Sequence, residues 1–371
     1  MQEKKLDYLF LGPAKPFRGG IAETQTYLAE EILSKGLRVE VWTFTKLYPK
    51  ILFPGKSQFD KKKNEMSKLD SKRIIHAYNF FKWKSVVKRI NVSKPKIVVF
   101  RYWTPLISPC WCYIKSKLDT SIKTVGLIDN WEHHEPKIWD KKLNKYFGKS
   151  MDMIVTFSEA VAAEIKRTIK KKILIGFHPV PDKNKFKILK PNNNSKTESN
   201  FVLFFGLIRK YKGLETLIDS MKYNNNFKLL IVGEFYDNKK KYLNLIEKLN
   251  LKERVNIIDK FVGNEEIINY FEKSKAVILP YKTASQSGVI SLSYLFEKPI
   301  VVSNLEGLTS YVKNDNSGVV FNDTSKDLAN AIGIVLDKKN NSNYTRNIKK
   351  NKKKYTWNRF AEEVIKFTSN T

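Results

Sequence analysis

The chain has little cysteine, little arginine and no long apolar run. Cys110 and Cys112 are its only cysteines among 371 residues. A lone C-x-C builds neither a disulfide framework nor a four-ligand zinc site, and two thiols fit a reducing cytosol. No run of eighteen apolar residues is present, so no transmembrane helix is expected. The opening MQEKKLDYLF lacks the apolar core and cleavage site of a signal peptide. The spacing Gly-x-Gly-x-x-Gly is missing, which removes the dinucleotide fingerprint. His-Glu-x-x-His and Asp-x-Asp are missing too, and four scattered histidines make no metal constellation. The expectation is therefore no metal and no cofactor.

What is abundant is positive charge. The formal net charge is +31 and the pI about 9.8. Such an excess attracts an anionic membrane surface or a nucleic acid. It is equally what an AT-rich genome supplies as Lys and Asn. Only ten of the 68 basic residues are Arg. Arg forks read bases and phosphates best, so nucleic acid is the weakest of the three explanations. The expected location is cytoplasmic, with peripheral attachment to the inner membrane face left open.

The length suits two domains. Apolar strands alternate with helical stretches along the chain. The first series starts at LDYLFL (6–11), which runs into GPAKPFRGG and a helix over 21–34. Residues 47–72 read as a polar loop. Residues 74–90 (IIHAYNFFKWKSVVKRI) carry aromatics and cations at helical spacing and read as one basic amphipathic helix. A stretch of Asn, Lys and Ser near 186–200 is the best linker. A second series begins at FVLFFG (201–206). Two such series predict an α/β protein of two Rossmann-like, doubly wound parallel-sheet domains facing one another. The boundaries expected are 1–185, a linker at 186–200, 201–340, and a basic connector with a final helix at 341–371 that packs back toward the first domain. Ligands of such sheets bind beyond the carboxyl ends of the strands. The polar loops fall there, so a cleft between two lobes is the expected site.

The most organised stretch is AVILPYKTASQSGVISLSYLFEKPIVVSN (276–304). It reads as strand, polar turn, helix and strand. Ser287 and Gly288 stand where the helix begins, and free N–H groups at such a start favour an anion. Hydroxyls and amides crowd the turn at Tyr281, Thr283, Ser285, Gln286 and Ser287. This chemistry suits a diphosphate joined to a polyhydroxylated group. A polar N-cap without a ligand explains the same residues.

FFGLIRKYKGLETLIDS, LLIVGEF, LPYKTASQSGVISLSYLFEKPIVVSNLEGL and GPAKPFRGGIAE occur in an order and spacing that resemble the retaining glycosyltransferases of family 4, with the two-lobed GT-B fold. DNWEHHE, FSEAVAAEI and FHPVPD resemble the branch that carries HNVxPHE. The resemblance covers nearly the whole chain. It implies transfer of a sugar from a UDP- or GDP-sugar to a hydroxyl of a lipid-linked or surface-polysaccharide acceptor, with retained configuration. By position, Gly19 and Gly20 lie beside diphosphate and donor sugar. Lys212 is the phosphate-binding lysine, and Arg209 supplies the charge that the family places nearer Gly206. His134, Glu135 and Asn130 match the acceptor or sugar loop. Ser285 and Ser293 replace two Glu residues that contact donor sugar and ribose in the family. Gln286, Ser287 and Gly288 stand in for those contacts. The rival reading is a degenerate nucleotide-sugar-binding protein of the same fold.

Overall fold

The structure is a computed structural model that describes residues 5–47, 58–59, 69–132, 137–183 and 201–370. The chain divides into two compact units. One is Met1–Phe177 with Trp357–Thr371, the other His178–Thr356.

The first unit runs β1 (Tyr8–Leu11), α1 (Gly20–Ser34), β2 (Val39–Lys46), β3 (Ser71–His76), α2 (Phe80–Ser93), β4 (Ile97–Tyr102), α3 (Ser108–Ser116), β5 (Lys123–Ile128), α4 (Asp140–Ser150), β6 (Met153–Thr156), α5 (Glu159–Thr168) and β7 (Ile173–Ile175). All neighbouring strands are parallel, in the order β3-β2-β1-β4-β5-β6-β7. Both faces of the sheet are covered. Leu9 and Leu11 enter one core with Trp83, Trp111 and Phe147 of α2, α3 and α4. Tyr8 and Phe10 enter the opposite core with Leu28 and Ile32 of α1. The alternation follows from the two-residue period of a strand, and burial on both faces is why β1 reads as an unbroken apolar run.

The second unit runs β8 (Phe201–Phe205), α6 (Leu214–Ser220), β9 (Lys228–Val232), α7 (Lys239–Lys248), β10 (Val255–Ile258), α8 (Asn264–Glu272), β11 (Ser274–Leu279), α9 (Gly288–Leu295), β12 (Ile300–Ser303), α10 (Glu306–Asp315), β13 (Gly318–Phe321), α11 (Ser325–Leu336) and α12 (Lys338–Asn351). Its six strands are also all parallel, in the order β10-β9-β8-β11-β12-β13. Each unit is thus a doubly wound α/β domain, as expected.

Several expectations are corrected. Residues 74–90 are not one helix. Ser71–His76 is a strand at the sheet edge, and Asn79 then caps α2 by accepting from Lys82 N. The boundary at 185 falls inside the second unit, because Val180 N–H donates to Tyr355 O at 2.7 Å. The basic connector is largely a helix, α12, seated in that unit through Ile348. The last helix, α13 (Trp357–Ser369), packs on α1 in the first unit. The linker at 186–200 lies outside the described residues.

Candidate active site

The carboxyl edge of the second sheet gathers most of the expected residues. Strand β8 ends at Phe205, and Gly206 follows with φ of 102°. A Cβ there would lie 2.9 Å from Lys212 Nζ, so the ammonium lies directly over the strand end. Gly213 closes the turn with φ of 68°, and a Cβ would stand 1.8 Å from Pro280 O. Only glycine permits both that backbone and that approach. The turn is thereby pressed onto the loop after β11, and Lys282 N donates to Tyr211 O at 2.7 Å. This contact carries Lys212 to the loop that opens α9.

Lys212 is 8% exposed. Its Nζ stands 5.5 Å from the centre of the Tyr281 ring, a cation–π contact. Among the described residues no carboxylate pairs with it. Burial, then the charge of Arg209, brings its pKa down to about 8. Arg209 itself is exposed and stacks at 5.2 Å over Tyr236. Two cations without an intervening carboxylate make a place for an anion.

Ser287 caps α9, its Oγ accepting from Val289 N at 3.3 Å. Gly288 is the first helical residue. The Tyr281 hydroxyl is 3.4 Å from Ser287 Oγ. Ser285 is buried, and its backbone packs so closely on Gly307 that a Cβ there would lie 2.4 Å from Ser285 O. Gln286 is half-buried beside it. Ser293 differs from the others. It is 0% exposed and donates its hydroxyl to Val289 O at 2.8 Å, so it does not offer that group outward.

In the first unit, Gly19 (φ 105°) precedes α1 and Gly20 begins it. A Cβ on either meets nothing within 4 Å, so backbone there is open to approach. Asn130 is half-buried just past β5. His134 and Glu135 lie outside the described residues. The preceding Asp129 is buried against Arg101, with Nε to Oδ2 at 2.6 Å and Nη2 to Oδ1 also bonded. Arg101 Nη2 additionally donates to Thr24 Oγ1 at 2.8 Å.

Three further groups stand at these edges: His178, which the sequence marks through FHPVPD as a fold or domain-edge position, and Glu234 and Arg101, which sequence reasoning misses. His178 Nδ1 is 2.9 Å from Ser291 Oγ, and its ring stands beside Gly288. Glu234 is buried at the end of β9. Arg101 interrupts an otherwise apolar strand, a signal that was legible. Among the described residues no cluster of three or more His, Cys, Asp or Glu could hold a metal ion.

The two all-parallel sheets and the loops at their carboxyl edges match the GT-B class of structures. Sucrose-phosphate synthase from Thermosynechococcus elongatus superposes with a TM-score of 0.79 at 16% identity, covering 98% of each chain. Anabaena Alr3699/HepE in complex with UDP does so with a TM-score of 0.75 at 16% identity, over 99% of this chain and 100% of that one. Residues 185–355 match the family described as "Glycosyl transferases group 1". Two uncharacterized glycosyltransferases of Methanocaldococcus jannaschii are similar in sequence. MJ1178 is 24% identical over 225 residues, 60% of each protein. MJ1607 is 26% identical over 176 residues, 45% of this chain and 44% of that protein. The chain thus spans about half of these relatives' lengths.

Proposed function

We propose that the protein is a retaining, metal-independent glycosyltransferase that moves a sugar from a UDP- or GDP-sugar to a hydroxyl of a lipid-linked or surface-polysaccharide acceptor. The observation that carries this reading is the buried Lys212 ammonium over Gly206, beside the turn that opens α9. The neighbouring Anabaena HepE structures contain UDP, and UDP-glucose in one case, which favours a nucleotide sugar as donor.

In this reading the bond from the sugar anomeric carbon to the diphosphate oxygen breaks, and its electrons stay on that oxygen. The acceptor hydroxyl oxygen bonds to the anomeric carbon from the same face. Its proton passes to the departing phosphate oxygen. Negative charge grows on the diphosphate as the bond lengthens. Lys212, Arg209 and the N–H groups at Gly288 oppose that charge most at the transition state. Two cations supply the charge that a metal ion would otherwise bring.

Turnover of UDP- and GDP-sugars by the Lys212→Ala protein tests the reading. A loss of roughly a hundred- to thousandfold in kcat is expected. Activity within a few-fold of the parent removes Lys212 from the mechanism. A second reading, a binding protein without turnover, is favoured by Ser293, whose hydroxyl is buried and engaged. Nucleotide-sugar binding with no product across a panel of acceptors would establish it.

A further inference from the structure

On one face of the first unit's sheet, α2, α3 and α4 pack side by side, and α5 joins the same core. Trp83, Val86 and Ile90 of α2 and Phe147 of α4 face inward. The three helices carry nine Lys and Arg against a single carboxylate, Asp140, which is buried. Lys82, Lys84, Lys88 and Arg89 of α2 and Lys141, Lys142, Lys145 and Lys149 of α4 are exposed.

Apolar side chains stand outward where these helices begin. Phe81 is 82% exposed and Ile138 95%. Tyr78, Phe80 and Trp139 are exposed beside them. Phe80 rests on Tyr113 of α3 at 4.7 Å, and Lys137 Nζ lies 5.5 Å over the Trp139 ring. In a parallel sheet the crossover helices run against the strands, so their first turns lie at the sheet's carboxyl edge. The aromatic and aliphatic tips therefore share one rim, backed by lysines. It is the edge at which Gly20 and Asn130 stand.

Single exposed apolar side chains are ordinary, but here Phe81 and Ile138 stand with Tyr78, Phe80 and Trp139 along one rim, and the lysines behind them select an anionic cover. A nucleic acid would find few Arg forks here, since α2 and α4 offer seven Lys and one Arg. A lipid surface satisfies both features. Aromatic tips enter the headgroup layer while lysines meet its phosphates.

We propose that this rim is a docking surface for an anionic lipid bilayer, with Tyr78, Phe80, Phe81, Ile138 and Trp139 entering the headgroup region. Attachment at this edge brings the membrane plane to the first unit's own loops. The inference does not depend on the sugar-transfer reading, because vesicle binding needs no nucleotide.

The test is co-sedimentation of the full chain with phosphatidylglycerol-containing vesicles and with phosphatidylcholine vesicles. Binding is expected only to the former, and is lost at about 0.5 M salt. The double variant Phe81→Ser, Trp139→Ser should bind about tenfold more weakly. The variant Lys82→Ser, Lys84→Ser, Lys141→Ser, Lys142→Ser should also lose at least tenfold. All these positions are exposed, so parent-like melting temperatures are expected. A control removes four exposed lysines of the second unit, Lys338, Lys339, Lys349 and Lys350, and should change binding less than twofold. If the control weakens binding as much as the α2–α4 variants, net charge alone acts and the rim is overturned. Failure of the parent to bind anionic vesicles at low salt, or unchanged binding by the Phe81–Trp139 variant, overturns it too. So does tighter binding to single-stranded nucleic acid than to vesicles at about 0.15 M salt.

Discussion

Among the described residues, each sheet has one buried cation near its carboxyl edge, and the two are treated oppositely. Arg101 in the first unit is 1% exposed and holds Asp129 by two hydrogen bonds, with a third to Thr24. Its guanidinium also lies 4.9 Å over the Phe157 ring. Lys212 in the second unit is nearly as buried but, among the described residues, faces a ring, Tyr281, and another cation, Arg209, with no carboxylate. A paired buried charge is part of the scaffold, whereas an uncompensated one is held ready for a counter-charge from outside. Asp129 is the paired residue of the first unit. Its carboxylate is already occupied with Arg101.

The largest expected effect lies on the first side. Arg101→Met leaves Asp129 buried without its partner and should lower stability by about 3–5 kcal/mol, read from urea denaturation. The double variant Arg101→Met, Asp129→Leu should recover most of that loss. An Arg101→Met protein as stable as the parent would show that the pair is not part of the scaffold. On the second side the sign reverses. The Lys212 pKa falls from an unfolded value of 10.5 to about 8 when folded. Between those values the unfolded chain binds more protons, so stability rises with pH there. Lys212→Met should therefore stabilise the protein by up to about 3 kcal/mol at pH 7. That advantage should shrink as pH rises from about 8 and vanish near 10.5. A variant less stable than the parent at pH 7 would mean that Lys212 has a compensating partner.

Most of both sheets could be read from the sequence because parallel strands buried on two faces are short apolar runs. KLLIV, AVIL and PIVV announce themselves. The misses share a cause, which is burial carried by few or polar side chains. Helix α4 is lysine-rich and buries Asn144, whose Oδ1 accepts from Tyr102 at 2.6 Å, so periodicity does not reveal it. Helix α10 (EGLTSYVKND) reads as a polar loop, yet it buries Gly307, Leu308, Thr309 and Val312. Helix α12 buries only Ile348. Residues 74–90 read as one helix because the aromatics of IIHAYNFF fit a helical spacing across the break at Asn79. At the site, the position of Lys212 was legible from its resemblance. Its burial was not, since a lysine between Tyr211 and Gly213 reads as solvated. What buries it is the approach of Gly213 to Pro280 O, a contact between segments 67 residues apart.

The same depressed pKa makes a smaller and finer prediction about binding. A diphosphate favours the charged form of Lys212, so it raises the pKa of that ammonium on binding. Below about 8 the ammonium is already present and affinity should be flat with pH. Above it, binding must take up a proton, and affinity should fall by up to about tenfold per pH unit. Calorimetric titration of UDP and GDP between about pH 7 and pH 9 reads this slope. The Lys212→Arg protein keeps its charge throughout and should give a flat profile, though its planar fork fits the space over Gly206 less well. A parent profile as flat as that of Lys212→Arg would mean that the ammonium does not meet the diphosphate. The contrast between an occupied arginine and a waiting lysine would then lose its second half.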